Sequence, residues 1–166
     1  MYKTHRFFDA AINLPEAWMN QTTVMFISPQ MRIASDDDSA QDDDATVTQA
    51  SLACRVVDGD AMPGADSDIE PDQQAKALLL QEISGMATQV QDMAIDHPPE
   101  KLNTDDDRAL WFASVSGTMT LPVRQVIGVL VHKGRGMVMV GTCTQAAFAA
   151  VQDEMVQMLH SARLVV

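Results

Sequence analysis

Apolar and polar residues alternate with a period of two through much of this chain, and that alternation predicts strands. The clearest run is MTLPVRQVIGVLVHKGRGMVMVGTC, Met119 to Cys143, in which Val126 to Val131 and Met137 to Val140 flank the turn Lys133-Gly134-Arg135-Gly136. β-Branched residues on both sides of a glycine turn predict a hairpin. Along its first strand Val123, Gln125, Ile127, Val129 and Val131 share one row, and Arg124, Val126, Gly128, Leu130 and His132 the other. Neither row is polar throughout, so the hairpin needs cover on both sides. Four further strands are expected. Phe7 to Leu14 carries Phe8, Ala10, Ile12 and Leu14 on one face. Pro15-Glu16-Ala17-Trp18 should end it in a turn, with Trp18 closing the sheet end. Thr22 to Ser28 sets Val24 and Phe26 against Thr23, Met25 and Ile27. Ser51 to Val57 sets Leu52, Cys54 and Val56 against Ser51, Ala53 and Arg55. Ala109 to Ser116 sets Trp111, Ala113 and Val115 against Leu110, Phe112 and Ser114.

Two stretches change period to three and four, the mark of an amphipathic helix. The first starts at Pro71, with Asp68 and Glu70 before it, carries Ala75, Leu79, Ile83, Met86 and Val90, and fades by Asp92; His97-Pro98-Pro99 reads as loop. The second runs from about Thr144 to Ala162 on Phe148, Val151, Met155, Met158 and Ala162, with Leu159 beside them. Thr142 or Thr144 should cap it, and Arg163 suits its negative end. The expected fold is α+β: one domain over 1–166, an antiparallel sheet of about six strands, and two main helices on one face. The rows under the helices are expected to be Val24/Phe26, Leu52/Cys54/Val56 and Val126/Leu130. The opposite face would then present Thr23, Met25, Ile27, Ala53, Val123, Gln125, Ile127 and Met139, an apolar surface with scattered hydrogen-bonding groups. A patch of that size marks a partner site, unless loops or a second copy of the chain cover it.

Charge narrows the partners. The 166 residues carry a net charge of −12, which argues against nucleic acid and against stable association with an anionic membrane. Twelve methionines against 5% aromatics give side chains that fill irregular cores or fit soft apolar partners. The runs Asp36-Asp37-Asp38 and Asp42-Asp43-Asp44 predict a flexible acidic insert at about 35–48. They lack the glycine and closing glutamate of a calcium loop. Asp58-Gly59-Asp60-Ala61-Met62-Pro63 fails the same pattern and reads as the start of an acidic linker at about 58–70. Cys54 and Cys143 are too few for a disulfide framework or a zinc site and read as buried thiols. No signal segment or run of about 20 apolar residues is expected to carry the chain into a membrane, so a cytoplasmic location is expected. His5, His97, His132 and His160 lack metal spacing, and no nucleophile elbow or phosphate-cradling glycine loop is present. No catalytic residue, metal or cofactor is therefore assigned, and the chain reads as a non-enzyme.

Several segments together resemble one family. FDAAINLPEAWMNQTTVMFISP, Phe8 to Pro29, is similar to the opening of DcrB-like domains through Leu14, Pro15, Trp18, Asn20 and Gln21. SLACRVVD resembles that family's third strand, and Arg124, Gln125, Thr142 and Thr144 match its strand containing Arg-Gln and the threonine-rich step after the next strand. Among DcrB-like domains the chain resembles the cytoplasmic Eag group of type VI secretion. The resemblance implies a homodimer of PsbP-like fold that acts as an effector chaperone. Such proteins hold the hydrophobic N-terminal helices of a secreted effector with a PAAR domain. Carried over, the cradle positions fall on Thr23, Met25 and Gln125. Thr23 departs from the bulky apolar residue usual there, and the acidic insert and linker are further departures. Two other readings stand beside this one. An acidic decoy could occupy a nucleic-acid-binding protein, and a small-ligand binder could hold a pocket between helix and sheet.

Overall fold

A computed structural model describes residues 2–7, 10–15, 23–28, 30–33, 46–64, 69–104 and 108–164. Its centre is an antiparallel sheet of six strands in the order β3-β6-β10-β9-β8-β7. These are β3 (Thr23–Ile27), β6 (Ser51–Val57), β7 (Gln91–Leu102), β8 (Ala109–Thr118), β9 (Pro122–His132) and β10 (Arg135–Thr144). Two short ribbons stand outside it: β1 (Tyr2–Phe7) with β2 (Ala10–Pro15), and β4 (Met31–Ile33) with β5 (Thr46–Thr48). The expected hairpin is β9–β10. His132 pairs with Arg135, leaving a two-residue loop in which Lys133 and Gly134 both have positive φ, 49° and 72°. That is the primed turn whose twist matches the strands, and Gly134 enters it without steric cost.

The two helices lie on opposite faces of the sheet, not on one as expected. Helix α1 (Pro71–Met86) buries Ala75, Leu78, Leu79 and Ile83 against Ala109, Ala113, Val115, Ile127, Val129, Val131 and Val138. Helix α2 (Phe148–Ser161) buries Phe148, Val151, Met155 and Leu159 against Leu52, Leu110, Val126, Leu130 and Met139. The cause is in the central strands. Both rows of β8, β9 and β10 carry buried apolar residues, so each face must be kept from water. Glycines let the layers approach. A Cβ on Gly128 or Gly141 would lie 2.5 Å from Leu159 and 2.9 Å from Met155, and one on Gly136 would lie 2.8 Å from Met62.

Other expectations need correction. Residues 7–14 do not form one strand: Phe7 ends β1, and Ala10, Ile12 and Leu14 belong to its partner β2. Trp18 and the Asp36–Asp44 runs lie outside the described residues, and Thr46–Thr48 at the end of the expected insert is strand β5. His97-Pro98-Pro99 is part of strand β7, not loop. Proline cannot donate to a ladder, so it is tolerated where one side of the strand has no neighbour. β7 is the sheet edge, and its register shifts three times along β8. The start of the expected linker is anchored, since Met62 is buried in the core under α1, while residues 65–68 of it lie outside the described residues. α2 begins after a 3-10 turn at Gln145–Ala147 and has no side-chain cap from Thr142 or Thr144. Met158 is 38% exposed rather than part of the buried stripe.

Cys143 and Cys54 are free thiols, the first buried and the second half-buried. Burial pushes the Cys143 thiol up to about 11, with the Arg124 guanidinium pulling the other way. The folded state thus favours the neutral thiol. Its contribution is complete below the unfolded thiol's pKa and is lost as pH rises from there towards 11. Between pH 8 and pH 10 the wild type should lose about 1 kcal/mol more than Cys143→Ala. Urea midpoints of both proteins at both pH values check this, and equal losses would refute it.

Candidate partner-binding face

Register fixes which residues share a face, because directly paired residues project to the same side. One row crosses the sheet as Val115, Gln125, Thr142, Ser51 and Ile27. The next runs Ala113, Ile127, Val140, Ala53 and Met25, and the next Trp111, Val129, Val138, Arg55 and Thr23. Seven of the expected partner residues do share this face: Thr23, Met25, Ile27, Ala53, Val123, Gln125 and Ile127. Met139 does not. It pairs with Gly128 and Cys54 on the other face and is buried under α2.

The shared face is the one α1 covers, but only in part. α1 sits over β8 and β9, so Ile127 is fully buried at 0% exposure and is core. Towards β3 the cover ends. Met25 is 60% exposed and Ile27 62%. Thr23 is exposed, and Ser51, Ala53, Thr142, Val140 and Val123 are half-buried. The charged residue on this open floor, Arg55, is engaged by Glu82 of α1, so the boundary between helix and floor is an ion pair. The floor therefore consists of β3, β6 and β10. Three strands about 4.8 Å apart span about 10 Å, one helix diameter. Val140, Thr142 and Ser51 were missed from sequence. Counting register through the two-residue turn identifies the first two.

Gln125 stands where covered and open regions meet. It is 8% exposed, its Nε2 donates to Thr142 Oγ1 at 3.1 Å, and its Oε1 is buried without a partner. An acceptor left so costs roughly 1–3 kcal/mol. Gln125→Leu should therefore raise the stability of the free protein by about 1 kcal/mol, a melting-temperature gain of roughly 2–4 °C. Calorimetry reads it. A drop in melting temperature would mean that the bond to Thr142 outweighs the orphaned oxygen.

On the other side of the sheet, Arg124 ties β9 to β7 and α2. Its Nε donates to Asp96 at 3.1 Å, and its guanidinium lies 4.5 Å from the centre of the Phe148 ring. Asp96 also accepts from Ser116 Oγ. Within the described residues, no helix is long and apolar enough to cross a membrane.

No protein-family model and no curated protein matches the chain. A crystal structure of a protein of unknown function from Pseudomonas aeruginosa, described as a candidate regulator, is similar over 99% of this chain and 98% of its own, with a TM-score of 0.64 and 14% identity. At that identity the likeness shows the fold alone.

Proposed function

We propose that this protein is an effector chaperone of the Eag type, with a PsbP-like fold. It would shield the hydrophobic N-terminal helices of a secreted effector before export. The observation that carries the reading is the open floor beside α1, where Met25 and Ile27 are more than half exposed next to Ala53. Water drives apolar helices together, and an apolar floor one helix wide offers them an alternative surface. Methionine adapts to varied side chains without strict matching of shape. Gln125, buried at the border of the floor, holds the Thr142 hydroxyl in place. The cradle is smaller than the sequence suggested, because Ile127 and Met139 are core. A second copy would enlarge it, in keeping with the homodimer that the resemblance implies. The test is co-expression with the N-terminal helices of a PAAR-domain effector encoded beside it. Co-purification that survives high salt supports the reading. A partner that is instead nucleic-acid-binding and lost steeply with salt would replace it with the acidic decoy.

A further inference from the structure

Around the end of β3 the apolar floor continues into a recess on the α2 side. It is a cavity of about 190 Å³ lined mainly by Ala50, Leu52, Val151, Met155 and Met158, with Glu154 at its border. Ile27 and Ser51, which form the last row of the floor, line it as well. An apolar cavity of about 150 Å³ accepts a benzene-sized group, so this one has room for a Leu or Phe side chain. Glu154 is exposed, and among the described residues it has no cationic partner. A carboxylate beside an apolar cavity, on a chain of net charge −12, selects a cation next to the apolar group. Helices built for membranes carry that combination, with Lys or Arg flanking the apolar span.

Resting on the function proposed above, we infer that the recess is a second anchor for the same partner. A bulky apolar side chain at one end of the bound helix fills the cavity, and the adjacent Lys or Arg meets Glu154. The partner thus rounds the end of β3 and is gripped on both faces of the sheet.

The probe is a labelled Leu/Ala helix peptide of roughly 20 residues, ending in Phe-Lys or in Phe-Glu, with binding followed by fluorescence anisotropy. Glu154→Lys should weaken the Lys-ended peptide about fivefold and favour the Glu-ended one, the scale of an exposed charge pair. Met158→Asp should weaken both peptides about tenfold, the loss of one partly buried apolar contact. Circular dichroism melts establish that each variant is folded, and Glu154, being exposed, gives a charge swap that leaves the core untouched. Wild-type binding that is unchanged by Glu154→Lys and Met158→Asp but lost in Met25→Asp overturns the second anchor and leaves the cradle standing. If Met158→Asp instead splits a dimer in sedimentation without altering peptide affinity, the recess belongs to a second copy and the inference is wrong. Failure of the wild type to bind either peptide removes the cradle and the anchor together.

Discussion

Met25→Asp and Ile27→Asp should each abolish capture of an apolar helix while leaving the protein folded. Both side chains are about 60% exposed on the open floor, so the free protein hardly registers the change. Substitutions at such positions cost within about 0.5 kcal/mol, or roughly 1–2 °C in melting temperature. In the complex each would place a carboxylate beneath an apolar helix, cut off from water. The expected loss of affinity exceeds about 100-fold, equivalent to nearly 3 kcal/mol. Paired melts and pull-downs of co-expressed client read both quantities. Full client recovery from a folded Met25→Asp protein would eliminate the floor as the binding surface.

Ile127→Ala should do the reverse. Ile127 projects to the same side of the sheet as Ile27, yet it is fully buried under α1 between Ala113 and Val140. Truncation leaves a cavity that close-packed neighbours only partly fill, at a cost of about 2–5 kcal/mol. That corresponds to a fall of roughly 5–15 °C in melting temperature. Urea unfolding at neutral pH measures it. A loss below 1 kcal/mol would mean that α1 does not seat on this row as described. The two isoleucines together test where the covered part of the face stops.

Alternation was enough to find β3, β6, β8, β9 and β10, because each has strict apolar spacing and clear boundaries. It also indicated that the β9–β10 hairpin needs cover on both sides. Placing both helices on one face set that aside, and the two-sided burial of Val126 to Val131 restores it. β7 was hidden by Pro98 and Pro99, which suit a strand only where one side is unpaired, and pairing is not visible in local sequence. Met139 was assigned to the wrong face, although a turn of either two or four residues pairs it with an even-numbered residue of β9, in the row of Val126 and Leu130. In the structure Met139 faces Gly128, and it is Val140 that shares the face of Ile127. Which half of a face a helix covers depends on how the helix crosses it. Periodicity alone does not encode that, so Ile127 and Ile27 looked alike.

The sheet's two borders differ in kind. β7 carries Pro98, Pro99, three register breaks and the charges Asp92, Asp96, Glu100 and Lys101, and its Asp92 holds a positive φ of 51°. β3 is a short uncharged strand of Thr, Val, Met, Phe and Ile. Proline, bulges and charge obstruct the addition of another strand, whereas β3 has none of these obstructions. Among the described residues, strand addition is obstructed at β7 and not at β3. An assembly zipped together through β3 alone would join two copies and stop there, with no repeating edge to extend into a fibril.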